Sequence, residues 1–168
     1  MSSPMTDGRG ADSAGPAPGI RIRRATAADA RVLTRMVRTS GAYDGHYASV
    51  VAGLTVGRDY IAARCVHVAV DAGGARLGFY GLLTDTAELD LLFVADRAQG
   101  LGIGRLLIAH MTSEARRHGL DSVRVVSHPP AEGFYRAMGA ERTGTAPPNP
   151  PAVAWPRPEL RFRIPAAL

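Results

Sequence analysis

The segment from Glu88 to Arg105 constrains the fold more than any other part of the chain. Glu88-Leu89-Asp90-Leu91-Leu92-Phe93-Val94 is a mostly apolar run of strand length, and a central strand is the expected outcome. A short polar stretch leads to Gln99-Gly100-Leu101-Gly102-Ile103-Gly104-Arg105, after which helical spacing sets in. Strand, glycine-rich turn and helix in that order bring the unpaired first-turn N–H groups and the positive end of a helix to the end of a strand. Glycines let the backbone there approach an anion closely, so the turn is expected to cradle a pyrophosphate. Two common phosphate loops are excluded. The lysine-free chain cannot supply GxxxxGK followed by Ser or Thr, and a GxGxxG pattern would need its third glycine at Arg105 or Leu107.

Residues 1–19 are polar, rich in Gly and Pro and without periodicity, so a disordered N-terminal tail is expected, followed by a single domain over 20–168. Ile20 to Arg24 reads as a first strand. Thr26 with Asp29 three residues on resembles a capping box, opening a helix whose apolar face is Val32, Leu33, Met36 and Val37. A second helix is expected from about Tyr43 to Leu54, with Ser40 to Asp44 as the loop between the two. Val66, Val68 and Val70 alternate with His67 and Ala69 in a strand from Cys65 to Asp71, and Ala72-Gly73-Gly74 turns the chain into a second strand from Arg76 to Thr84. Arg105 to His118 is a helix with Leu106, Leu107, Met111 and Ala115 inward. Ser122 to Ser127 is a strand, Ala131 to Met138 a short helix, and Glu159 to Ile164 a final strand after a proline-rich loop. Hairpin and crossover connections together imply an α/β (α+β) fold, a mixed sheet with helices on both faces.

The net charge of +5 comes entirely from arginine, which favours an anionic partner. The arginines are scattered and form no basic block or nucleic-acid reader motif, so the phosphates of a cofactor fit better than nucleic acid. No apolar run approaches the roughly 18 residues of a membrane span. Met1 to Gly19 lacks an apolar signal region, and a cytoplasmic protein is expected. The lone Cys65 reads as a buried thiol. His110 reads as a packing residue, and His67 as a strand histidine without an evident partner. With no clustered histidines and carboxylates visible, no metal is expected.

Two motifs resemble a known family. Gln99, Gly102 and Gly104 match the Q/R-x-x-G-x-G/A pattern of the GNAT superfamily of acyl-CoA-dependent N-acyltransferases. Downstream, His128-Pro129-Pro130-Ala131-Glu132-Gly133-Phe134-Tyr135-Arg136-Ala137-Met138-Gly139-Ala140 resembles that family's N-x-x-A-x-x-F-Y-x-x-x-G-F/A segment, with Ala131, Phe134, Tyr135 and Gly139 in register. The resemblance implies a GNAT-like mixed, mostly antiparallel central sheet, splayed at its fourth strand and flanked by helices. It implies that the loop of Gln99, Gly100, Leu101, Gly102, Ile103, Gly104 and Arg105 holds the coenzyme A pyrophosphate. The main chain of Phe93 and Val94 would bind the pantetheine arm and polarise the thioester carbonyl, with Phe134 at the same cofactor. Tyr135 falls where the family places the acid that protonates the departing thiolate. His128 stands where many relatives have an asparagine on the pantetheine, and an imidazole can donate a comparable hydrogen bond. The family's acceptor pocket usually comes from the first two helices and their loop, here Tyr43, Asp44, His46 and Tyr47, whose aromatic and acidic groups suit a cationic amine.

An amine must lose a proton to attack a thioester. Strand alternation puts Glu88, Asp90, Leu92 and Val94 on one face, which makes Glu88 the candidate base and Asp90 the fallback. The expected activity is transfer of an acetyl or related acyl group from acetyl-CoA to a primary amine of a small molecule, by direct attack and without a covalent enzyme intermediate. Two alternatives stay open: an acyl carrier protein as donor, and a non-catalytic acyl-CoA sensor, against which Tyr135 argues. Trp155, in the rigid stretch Pro147 to Pro158, is placed either over the substrate mouth or at a subunit contact, so a homodimer also stays open.

Overall fold

Among the described residues, seven strands form one sheet that carries helices on both sides. The computed structural model describes residues 19–43 and 45–166, with His46 described for its backbone only. All of the expected tail except Gly19 lies outside these residues, as does Asp44. In chain order the elements are β1 (Arg21–Arg24), α1 (Ala30–Arg38), α2 (Ala48–Ala52), α3 (Arg58–Ala63), β2 (Cys65–Val70), β3 (Arg76–Leu83) and β4 (Glu88–Val94). There follow α4 (Ile103–Arg117), β5 (Ser122–Val126), α5 (Glu132–Ala137), β6 (Glu141–Ala146) and β7 (Arg157–Arg163). The sheet order is β1-β2-β3-β4-β5-β7-β6. Every neighbouring pair is antiparallel except β4 and β5, which run parallel and meet in register only at Glu88 and Arg124. Beyond that contact the two strands part, and the sheet is splayed at its fourth strand as expected.

The sheet is sealed on both faces by apolar side chains. Tyr80, Leu82 and Leu89 face α4 and α5, where they meet Leu107, Met111 and Tyr135. Val66, Val68, Phe79 and Phe93 face the other way, onto Leu33 and Val37 of α1 and Ile61 of α3. Burying each such side chain stabilises the fold by about 1.5–3 kcal/mol. That two-sided cover explains why β2 is buried along its whole length, although its residues alternate in chemistry. The edges are protected differently: β1 is three-quarters arginine, and β6 begins Glu141-Arg142, charges that discourage a further strand from pairing there.

Two local expectations need correction, and two elements were not expected at all. Val32 is 37% exposed, and only Leu33, Met36 and Val37 of its set reach the core. No continuous helix runs from Tyr43 to Leu54; two 3-10 turns, Gly41–Tyr43 and Gly45–Tyr47, precede the five-residue α2. Gly45 has a left-handed φ of 61°, which a continuous helix cannot contain. Helix α3 was not foreseen, since six residues with one buried apolar side chain, Ile61, give no periodicity to read. Strand β6 was likewise not separately foreseen, because an exposed edge strand carries no apolar alternation.

The Thr26–Asp29 pair does cap the chain before α1, with the Thr26 N–H donating to Asp29 Oδ2 at 2.8 Å. The Asp29 carboxylate is fully buried and also accepts from Arg23 Nη1 and Nη2, at 2.8 and 2.9 Å, and from Arg76 Nε at 3.0 Å. It thus ties edge strand β1 to β3. Arg23 above all holds this carboxyl well below the usual carboxylate range, helped by the Thr26 amide and Arg76. A depressed pKa in the folded state gives stability that is present above the unfolded value of about 3.9 and lost as pH falls below it. Asp29→Asn should therefore cost about 3 kcal/mol at neutral pH, the low end for breaking a buried pair because both arginines still reach water. The loss should shrink in acid. Urea unfolding at pH 7 and pH 3 measures both, and equal losses at the two pH values would count against the ionic account.

Candidate active site

The splay between β4 and β5 opens a cavity of about 640 Å³. The glycine loop forms one rim. Gly100 and Gly102 both adopt left-handed backbone, with φ of 82° and 78°, and Gly102 caps α4. The first helical bond of α4 runs from the Leu106 N–H to the Gly102 carbonyl at 3.0 Å, so the amides of Ile103, Gly104 and Arg105 have no acceptor within the helix. These three residues, with Gly100, Gly102 and Gln99, line the cavity. Leu101 does not, and is 49% exposed. Gln99 fixes the loop to the strand, its Nε2 donating to the Val94 carbonyl at 3.2 Å. Phe93 and Val94 pair with Phe79 and Gly78 of β3, while β5 has already parted from their other edge. That edge faces the cavity.

Helix α5 supplies the wall beside the loop. Phe134 and Tyr135 line the cavity, their rings edge-on at 5.3 Å. Phe134 lies so close over Gly104 that a Cβ there would come within 2.9 Å of its ring. Tyr135 is buried, in edge contact with Phe162, and burial pushes its phenol well above the ordinary value, with Tyr43 adding to the effect. It is fully protonated at neutral pH and able to give a proton.

His128 bridges this wall to the opposite one. Its ring stacks on Tyr43 at 3.9 Å and meets the edge of Tyr47 at 4.5 Å. Its Nε2 lies 2.6 Å from the Ala42 carbonyl, which can only accept, so Nε2 carries the proton and Nδ1 is the lone-pair nitrogen. Burial lowers the pKa of the ring, against the opposing pull of the Ala42 carbonyl. The donor expected of His128 is thus already committed to the protein, and what the ring offers is an acceptor. Its Nδ1 is buried without a partner; among the described residues the other side-chain atom in that state is Arg157 Nε, and both residues line the cavity.

The acceptor-side residues fare unevenly. Tyr43 lines the cavity, stacked on Phe93 at 5.6 Å, and burial pushes its phenol up to about 12. Tyr47 stands behind it, between His128 and Trp155, whose ring it meets at 4.9 Å. Asp44 and the His46 side chain lie outside the described residues. Trp155 is at the cavity wall.

Glu88 is not among the lining residues. It sits 3.6 Å from Arg124, which bonds Glu159 at 2.7 Å. The alternation that assigned Glu88 fails at a bulge: Gly81 opposes Leu91 but Leu82 opposes Leu89, so Asp90 is an extra residue in β4. Leu89 thereby shares a face with Leu92 and Val94, and Glu88 turns the other way. Asp90, the fallback, does line the cavity and accepts the Tyr60 hydroxyl at 2.8 Å. Tyr60 reaches it across Gly81, where any Cβ would collide with the hydroxyl. Burial and the Asp90 charge push the Tyr60 phenol far up, which keeps it a donor.

A second polar cluster, absent from the sequence reading, lies away from the cavity. Cys65, Glu114 and His118 form one set of close donor atoms and His67, His110 and Glu114 another, each within 4.8 Å, which corrects the expectation that no such set exists. His110 is no mere packing residue, with its Nδ1 2.7 Å from the Tyr80 hydroxyl. Nor is His67 without a partner, as its Nδ1 lies 3.7 Å from Cys65 Sγ and burial, with His110 nearby, lowers its pKa to about 4. Arg117 donates to Glu114 at 2.8 Å. The members thus engage one another.

Splayed sheet, glycine-capped helix and buried tyrosine define an acyl-CoA acyltransferase fold. The acetyltransferase (GNAT) domain family matches residues 55–147, just over half of the chain, and the protein belongs to that family. No curated protein sequence matches it. Among solved structures, the GCN5-related N-acetyltransferase of Rhodopseudomonas palustris is similar at a TM-score of 0.73 and 18% identity, over 89% of this chain and 96% of that one. The ribosomal-protein-S18-alanine N-acetyltransferase of Escherichia coli is similar at 0.65 and 15%, with the same coverages of 89% and 96%. YncA of Salmonella typhimurium, solved with its cofactor acetyl-CoA, is similar at 0.63 and 16%, again over 89% and 96%. At these identities the likeness is one of fold.

Proposed function

We propose that this protein transfers an acetyl or related acyl group from acyl-CoA to the primary amine of a small molecule, in a ternary complex and in a cytoplasmic setting. The observation that carries the reading is the cavity itself, which has a rim of unpaired helix amides at one end and the protonated Tyr135 in its wall. The residues present suit acetyl-CoA. The free amides of Ile103, Gly104 and Arg105 are donors for its pyrophosphate, and the orphaned His128 Nδ1 is an acceptor for a pantetheine amide N–H. Acetyl-CoA supplies an activated thioester, whose carbonyl carbon takes the amine and whose sulfur leaves with the electron pair.

The chain's own residues manage the protons. Tyr135 gives its proton toward the leaving sulfur. Asp90, held by Tyr60 at the cavity, takes the proton that the amine must shed, directly or through water. The main-chain edge of Phe93 and Val94 orients the acyl group. Glu88 is held by Arg124 and serves as the control.

An amine panel assayed by thiol release from acetyl-CoA tests the activity, and a panel with no release from any amine would overturn it. In the same assay Asp90→Asn should lower kcat/KM by about 10²-fold, most at low pH where the amine is more fully protonated. Glu88→Gln should change it by less than about threefold, the scale of a surface charge change. The reverse ranking would return the proton to Glu88.

A further inference from the structure

Among the described residues, Arg157 is the cavity-lining arginine with a buried, unmet donor. Its Nε makes no hydrogen bond, and no carboxylate among the described residues pairs with its guanidinium. Glu159, two residues along β7, is engaged with Arg124 at 2.7 Å, and the cavity-lining Asp90 accepts from the Tyr60 hydroxyl at 2.8 Å. A guanidinium stays charged at any physiological pH, and burying part of it without a counter-ion is costly. A cavity that keeps such a group is built for an anion that arrives with the ligand.

The direction of the side chain separates this site from the glycine loop. Along β7, Leu160 and Phe162 point into the core beneath α4 and α5, so Arg157 and Glu159 face the opposite side of the sheet, the side of α1 and α2. The wall there is apolar, with Tyr43, Val50, Leu54 and Trp155, and Asp90 is the acidic group on it. A ligand that satisfies this wall carries an amine, an apolar body and an anionic oxygen pair matching the planar fork of a guanidinium.

Resting on the acyl-transfer reading above, we propose that the acceptor is a hydrophobic amino acid, its carboxylate bound by Arg157 and its side chain lying on the Tyr43–Trp155 wall. The α-amine then takes the acyl group. The amine nitrogen forms the new bond to the carbonyl carbon, the carbon–sulfur bond breaks, the amine's proton passes to Asp90, and the thiolate gains one from Tyr135.

The test compares L-leucine and L-phenylalanine with their carboxamides and with isoamylamine and phenethylamine, by thiol release from acetyl-CoA. Wild type should favour the acids by about 10²-fold or more in kcat/KM, as expected when a buried charge gains its partner. In Arg157→Gln this ratio should collapse toward one through a raised KM for the acids, and Arg157→Lys should restore part of it. Acetyl-CoA affinity, measured by calorimetry on the same variants, should move less than about twofold, because the phosphate rim faces the other side of the sheet. Equal turnover of acid and carboxamide by wild type would overturn the assignment, independently of how the variants fold. So would a tenfold weaker acetyl-CoA affinity in Arg157→Gln with acceptor discrimination intact, which would give the arginine to the donor's own phosphates. Turnover of carboxylate-free amines alone would sink this inference and leave acyl transfer standing, whereas no thiol release from any compound would sink both.

Discussion

Tyr135→Phe is expected to lower kcat by about 10²- to 10⁴-fold, the range for loss of a general acid, while leaving acetyl-CoA affinity and Tm nearly unchanged. The ring keeps its contacts with Phe134 and Phe162, and the hydroxyl makes no hydrogen bond among the described residues, so nothing structural is lost with it. A phenol held this far up is a weak acid, and an ordinary thiol has a pKa of about 8.5. The departing sulfur, however, develops its charge beside the same buried wall, where desolvation raises its own proton affinity and narrows the gap. Single-turnover and steady-state rates with a known acceptor decide the point. Activity within about threefold of wild type, with chemistry shown to limit turnover, would demote Tyr135 to a packing residue.

The second large effect is expected at the glycine loop. Acetyl-CoA at 100 times its dissociation constant should add about 2.7 kcal/mol, a rise in Tm of about 5 to 10 °C for a chain of this size. Gly102→Val and Gly104→Val should each abolish that rise, for different reasons. Gly102 sits at φ 78° with open space where its Cβ would be, so valine there strains the cap of α4 and projects into the region left for phosphate. At Gly104 the obstacle is protein, because a Cβ meets the Phe134 ring at 2.9 and 3.0 Å and must push α5 aside. Gly104→Val should therefore also slow the chemical step through displaced Tyr135. Differential scanning fluorimetry with and without acetyl-CoA reads the first effect, and a full rise retained in both variants would move the cofactor site elsewhere.

The strand, glycine turn and α4 were legible in the sequence because each is a contiguous pattern with its own period, and the Phe134-Tyr135 motif because it lies a fixed distance downstream. What was hidden depended on contacts between distant segments. The polarity of His128 is set by the Ala42 carbonyl, eighty-six residues away in the chain. The bulge that turns Glu88 from the cavity and brings Asp90 to it is a register effect between β3 and β4, and strict alternation cannot contain it. His67, His110 and Glu114 come together only when β2 lies beneath α4. Arg157 was not legible because an arginine inside a proline-rich stretch belongs to no pattern; its meaning lies in the partner it lacks. Short elements such as α3 were lost because six residues are too few to show a period.

The aromatic row that runs from Trp155 through Tyr47 to His128 gives the protein its own optical probe. Trp155 is the sole tryptophan and lies at the cavity wall, so its emission originates at the site where acceptor is expected. Tyr47, 4.9 Å from it, is close enough to pass on excitation energy, and the indole senses whether water or an apolar ligand lies against its face. Occupancy of the acceptor wall can therefore be followed in the unlabelled protein as a change in fluorescence colour and yield, read against a titration with acetyl-CoA alone, because the pantetheine assigned to His128 lies one aromatic ring away from the indole.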